Sequence, residues 1–170
     1  LKGIFCIIIA GFGFALMSLF VKLSGDLPSI QKGFFRNIIA VFISSIPLIK
    51  HWRVINIPRN NTGWLVLISR SVFGTIGLVL NFYAISHISL ADSSIIQKLS
   101  PFIIIILSYI FFKEEMTRFQ VFSIIIAFIG ITLIIKPSGN NIISMGALAA
   151  LLGALCAGIA YTCVRYLGTH

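Results

Sequence analysis

Three cations lie inside strongly apolar stretches of this 170-residue sequence: Arg36, Arg70 and Lys98. Each stands about six or seven residues into its stretch, roughly 10 Å deep if the stretch is a helix. A charge at that depth in a bilayer costs about 2.5–3.5 kcal/mol even on the lenient insertion scale. Such residues either face a polar cavity or a partner, or they snorkel to the headgroups along their long side chains. The chemistry on offer is recognition. Arg presents a planar fork suited to carboxylate or phosphate, and Lys a point charge. Neutral polar side chains accompany them: Ser94 and Gln97 beside Lys98, and Asn81 farther along the stretch that holds Arg70.

Bond-making chemistry finds no support. There is no G-x-S-x-G elbow, H-E-x-x-H pair or P-loop. Asp26, Asp92, Glu114 and Glu115 fall in loops or at the edges of the apolar stretches, so no buried acidic pair is available for acid–base work. His87 closes the third stretch and reads as an interfacial residue. Cys6, Cys156 and Cys163 lie in apolar runs without metal-ligand spacing and read as small buried hydrophobes. No enzyme activity, metal or cofactor is expected.

Spacing adds to the cations. Arg70, Gly74, Gly77 and Asn81 fall at i, i+4, i+7 and i+11, one stripe of a helix. Ser94, Lys98 and Pro101 share a face, with Gln97 beside it; Arg36, Ala40, Ser44 and Pro47 share another, and Gly11, Ala15, Ser18 and Lys22 a fourth. Lipid has no use for such stripes. They serve either a central polar path or ordinary close packing between helices. Pro101 removes a backbone hydrogen bond in mid-stretch and predicts a kink, either a packed structural one or one whose freed carbonyls bind solute or permit bending.

The elements that position these residues follow from composition. Hydrophobic residues make up 58% of the chain, only 10% are charged, and mean hydropathy is +1.06. A soluble domain carries about 25% charged residues. Soluble, disordered and nucleic-acid-binding classes are therefore excluded, and the net charge of +9 is scattered between apolar runs instead of forming a patch. Six runs stand out: 3–23, 29–49, 63–86, 92–112, 119–135 and 145–167. Each is near the roughly 20 residues that span a bilayer as a helix. The reading is an all-α integral membrane protein of about six transmembrane helices. The fifth run carries one small face, Ser123, Ala127 and Gly130, and reads as a peripheral packing helix with lipid on its other side.

Orientation follows from basic residues near the spans. With the N-terminus cytoplasmic, Lys2, Lys50, Arg53, Arg59, Lys113, Arg118 and Arg165 lie inside, and Lys22, Lys32 and Lys136 outside. The 50–62 loop decides most of this, flanked by Trp52 and Trp64 as an aromatic belt. A cell-membrane, multi-pass location is expected.

The segment 153–168 repeats 10–25 at a constant offset: Val21 meets Val164, Lys22 meets Arg165 and Gly25 meets Gly168. Chance matching of two Gly- and Ala-rich helices is the alternative. A true repeat separated by five spans must sit upside down, the inverted-repeat plan of many transporters. Residues 1–136 are then a first five-helix repeat and 145–170 the first helix of a second, which makes this sequence look like a fragment.

Several motifs carry a resemblance. The stretch from Phe82-Tyr83-Ala84 through Leu90-Ala91-Asp92 to Pro101, running on to Phe112-Lys113-Glu114-Glu115, resembles the EamA-type drug/metabolite transporter superfamily. Arg70-Ser71-Val72-Phe73-Gly74 is similar to the Arg-x-x-x-Gly of its third span, and Phe35-Arg36-Asn37 to the opening of its second. The resemblance implies ten spans in two inverted halves, a central solute site and alternating access. The expected function is secondary transport of a small organic solute; a non-transporting scaffold or a half-transporter that acts only as a dimer is the alternative. Expected partners are the lipid bilayer, a small solute that is anionic or zwitterionic, and a second copy if the chain ends here. The expected solute contacts are Arg36, Arg70, Asn81, Ser94, Gln97 and Lys98, with Pro101 as the kink.

Overall fold

Long apolar runs broken by short polar segments leave the backbone one way to satisfy itself in lipid, which is the helix. The computed structural model describes residues 2–25, 27–50, 61–113, 115–135 and 145–169. Its elements are α1 (Lys2–Leu23), α2 (Ser29–Lys50), α3 (Asn61–His87), α4 (Leu90–Gln97), α5 (Ser100–Phe112), α6 (Arg118–Ile135) and α7 (Met145–Thr169). No strand occurs among the described residues. The stretches Gly3–Leu23, Thr62–His87, Leu90–Phe112 and Met145–Gly168 are each long and apolar enough to cross a membrane, and Arg118–Leu133 is a shorter apolar helix. The chain is an all-helical, multi-pass membrane protein. The 51–60 and 136–144 segments, with Arg53, Arg59, Lys136 and Trp52, lie outside the described residues.

Local chemistry sets the ends. Gly25 takes φ +63 after α1, the left-handed position that ends many helices. Ser89 caps α4, its Oγ accepting the Asp92 N–H at 3.0 Å. At α6 the Thr117 Oγ1 accepts the Gln120 N–H at 3.3 Å while Gln120 Oε1 accepts the Thr117 N–H at 2.9 Å, a reciprocal capping box.

The fourth apolar run is one stretch long enough to span, built of two helices with a break between them. The break falls at Lys98 and Leu99, where Lys98 N–H bonds Ile95 O and Leu99 N–H bonds Ile96 O, a tightened 3₁₀-type turn. Pro101 sits in the first turn of α5, where its missing N–H would be unpaired in any case.

Packing centres on α7. It runs antiparallel along α3 and also covers α4 and α5. The seam is made by small residues: a methyl at Gly77 would lie 3.1 Å from Gly153 O, and one at Gly158 only 2.5 Å from Ile103 Cγ2. Ala84, Ile96, Leu99, Ile103, Ile131, Ala150 and Ala154 form the main core, while Val21, Phe82 and Ile85 form a second cluster. α6 turns Ala127 and Ile131 inward and exposes Phe119, Phe122, Ile126, Ile129 and Leu133, the peripheral arrangement its sequence suggested. α1 packs on few neighbours, so Cys6 is exposed instead of buried.

Candidate functional site

The polar residues that the structure gathers lie where α3, α4 and α7 meet beside the helix break. Ser93 is 1% exposed, and its Oγ donates to Asn81 Oδ1 at 3.4 Å. Gln97 follows Ser93 by one turn on the same face of α4. Its Oε1 is buried and has no hydrogen-bond partner. A buried acceptor left unpaired costs about 1–3 kcal/mol, so this atom invites a donor.

The Gln97 backbone carbonyl would normally accept from residue 101, and Pro101 has no N–H to give. Ser100 supplies the donor instead: its Oγ is 3.0 Å from Gln97 O and 3.3 Å from Ala154 O of α7. The break is thus held on one side by a single hydroxyl.

Arg70 lies on the same α3 stripe as Asn81, about 16 Å along the axis. It is half-buried, and its guanidinium folds back along its own helix, with Nη1 3.2 Å from where a methyl on Gly74 would stand. Gly74 leaves room for that pose. Ala160 of α7 lies 3.9 Å from the same point. The stripe that sequence spacing assigned to a cavity or a close neighbour therefore meets a close neighbour at Gly74 and Gly77, with Arg70 beyond them at one end and Asn81 at the other.

The remaining expected contacts are placed elsewhere. Arg36 is half-buried on α2 and donates from Nη1 to Asn37 Oδ1 at 3.0 Å; Gly33, one turn away, packs on Leu78 and Val79. Ser94 is exposed, and Lys98 lines an apolar groove with Ile95, Leu99, Phe102, Ala127, Gly130 and Ile131 between the broken helix and α6. Arg70 and Lys98, both expected solute contacts, thus stand against different neighbours. Ser93 and Ser100 complete the junction and were not singled out from the sequence. Their spacing with Gln97, at 93, 97 and 100, is the i, i+4, i+7 pattern that could have found them. Among the described residues no three His, Cys, Asp or Glu side chains gather to hold a metal ion.

Comparison with known proteins adds an independent line. The profile of the EamA-like transporter family matches residues 1–136. The chain is 32% identical over 170 residues to the pseudopaline exporter CntI of Pseudomonas aeruginosa, covering 99% of this chain and 58% of that protein. It is 29% identical over 167 residues to an uncharacterized transporter of Helicobacter pylori, covering 97% of this chain and 55% of the relative. With solute carrier family 35 member G1 of Mus musculus the identity is 28% over 178 residues, 98% of this chain and 48% of the relative. The chain thus spans about half the length of the relatives it matches. No solved structure matches it.

Proposed function

The chain belongs to the EamA-like transporter family, and from that premise we propose that it forms the first part of a secondary transporter moving a small organic solute by alternating access. Residues 1–136 form one five-span repeat in this reading, with α4 and α5 together as its fourth span, and α7 opens an inverted second repeat. The match to residues 1–136 and the 10–25 likeness to 153–168 support that division. The N-terminus is cytoplasmic and the protein sits in the cell membrane, on the distribution of basic residues between loops. Two similar proteins are named as an exporter and a solute carrier, which supports transport and gives no support to catalysis.

One observation carries the solute reading: Arg70 is a half-buried guanidinium on the α3 stripe that packs against α7. Arg70 offers paired donors to a carboxylate or phosphate, and Gln97 Oε1 accepts from an amine or hydroxyl. Asn81 and Ser93 stand beside Gln97. An anionic or zwitterionic solute suits Arg70, whereas a purely cationic one meets repulsion from it in a low-dielectric setting. Arg36 and Lys98 stay as proposed solute contacts away from this seam, Lys98 from the groove toward α6. The helix break at Lys98 and Leu99 supplies the irregular backbone that transporters place beside their sites.

The test is flux through the full-length protein in lipid vesicles, with anionic, zwitterionic and cationic amino-acid and sugar-phosphate probes. Arg70→Lys keeps the charge and loses the fork, and is expected to lower flux of the accepted probe about tenfold or more, the loss of one charge-assisted hydrogen bond. Lys98→Gln should have a smaller effect. Wild-type flux in both variants would show that these side chains only snorkel. No flux of any probe from the wild type would favour the scaffold alternative.

A further inference from the structure

The sequence reading places Lys22 and Lys32 on the outer side and Lys22 also on the small-residue stripe of the first run, yet each ties helices together. Lys32 of α2 is 9% exposed, and its Nζ donates to Val21 O at 3.1 Å, Gly25 O at 2.9 Å and Ser86 Oγ at 3.1 Å. Lys22 of α1 donates from Nζ to Ile85 O at 2.7 Å and Ile88 O at 2.8 Å, at the C-terminal end of α3. An ammonium has three donors, and Lys32 places all three on neutral acceptors. Four of the five acceptors are carbonyls at helix ends, at the negative pole of the helix dipole, with Val21 O shared with Ser24 Oγ, and the fifth is the Ser86 hydroxyl.

These contacts divide by function. The bonds from Lys32 to Val21 and Gly25 stay within the α1–α2 hairpin and hold it as one unit. The bond to Ser86 and both bonds from Lys22 join that unit to α3. All lie at the end of the bundle that carries Ser24, Gly25 and Pro28, directly over the buried cluster of Val21, Phe82 and Ile85. The rest of α1 is largely exposed, so little else fastens it to α3.

We infer that Lys22, Lys32 and Ser86 form a releasable latch that closes this end of the bundle, and that its opening is a step in alternating access; the inference rests on the transport reading above. Neutral acceptors suit release. Breaking a buried ion pair would strand a charge in a dry interior, whereas carbonyls and a hydroxyl at helix ends can pass to water as the hairpin swings away. The hairpin keeps its own two bonds and moves as a body.

Thiol reporters test this in the full-length protein, in lipid vesicles and in a background lacking Cys6, Cys156 and Cys163. Ile85→Cys sits under the latch, at a position 2% exposed. Thr162→Cys, at a position 7% exposed, lies about 24 Å along α7 from Gly146, which packs on His87 at the latch end. The probe is a small polar methanethiosulfonate, and no solute is needed. Lys22→Met and Ser86→Ala are each expected to raise labelling at Ile85→Cys several-fold, and together about tenfold or more, as loss of charged hydrogen bonds implies. Labelling at Thr162→Cys should stay the same or fall, and Lys22→Arg should restore the slow rate. Unchanged labelling at Ile85→Cys overturns the latch. So does a parallel rise at both reporters, which marks general loosening of the bundle. Because labelling reads the end's opening without flux, the latch and the transport reading can fail separately.

Discussion

Gln97 is a poor choice for stability, and the proposed function gives it a use. Its Oε1 is buried without a partner, a defect worth about 1–3 kcal/mol. Replacing the amide by an apolar group of similar size removes the defect. Gln97→Leu is therefore expected to leave thermal stability unchanged or raise it by about 1 kcal/mol, measured by melting of the full-length protein in detergent, while flux of a zwitterionic probe falls. A loss of stability together with unchanged flux would mean that the amide serves packing alone. Arg70 belongs to the same scale. Its guanidinium depends on the space above Gly74, so the weakening expected of Arg70→Lys reflects geometry and not charge.

The broken helix is the element on which the junction depends. Pro101 withholds an N–H from Gln97 O, and Ser100 Oγ fills the vacancy. Pro101→Ala returns the donor, and alanine is the better helix former in mid-helix by about 3 kcal/mol. We expect α4 and α5 to approach one continuous helix, read as slower amide hydrogen exchange at residues 98–102, with slower flux. Exchange as fast as in the wild type would place the cause of the break in tertiary packing. The small-residue seam gives a second expectation. A methyl at Gly158 already meets Ile103 at 2.5 Å, so Gly158→Val must push α5 off α7. The cost should be about 1–3 kcal/mol, as for overpacking elsewhere, seen as a lowered melting temperature. Gly130→Ala on α6 is the control, since nothing lies within 4 Å of its added methyl.

For the whole molecule, the proposed orientation rests on charges legible in the sequence, of which Arg53, Arg59 and Lys136 lie outside the described residues. In the proposed orientation seven basic residues lie on one side and three on the other, so a single cysteine in the 50–62 loop is expected to react with an impermeant reagent only after the cell membrane is opened. A cysteine at Leu27 should react in intact cells. The reverse pattern would invert the topology, and with it the side that the lysine latch closes. The fold's dependence on α7 also bears on assembly. The helix that opens the second repeat in the proposed division packs along the third helix of the first, so the two repeats would interlock and not merely abut.

Much of this protein was settled by its sequence. Six apolar runs with few carboxylates admit only helices in a bilayer, and the helices fall within a few residues of those runs. Caps such as Thr117 with Gln120 are local and legible for the same reason. The stripe Arg70, Gly74, Gly77 and Asn81 was legible too, because a helix's own period fixes which residues share a face. Its neighbour was not: periodicity orients side chains about one axis and says nothing of which helix lies opposite. Only the tertiary structure set Gly77 against Gly153, separated Lys98 from Arg70, and joined Ser93 to Asn81. It also turned Lys22 and Lys32 from topology markers into bonds between helices. Hydropathy sees a lysine at a helix end as facing water, and the acceptors that hold it are carbonyls of helices up to 66 residues away, present only once the chain has packed.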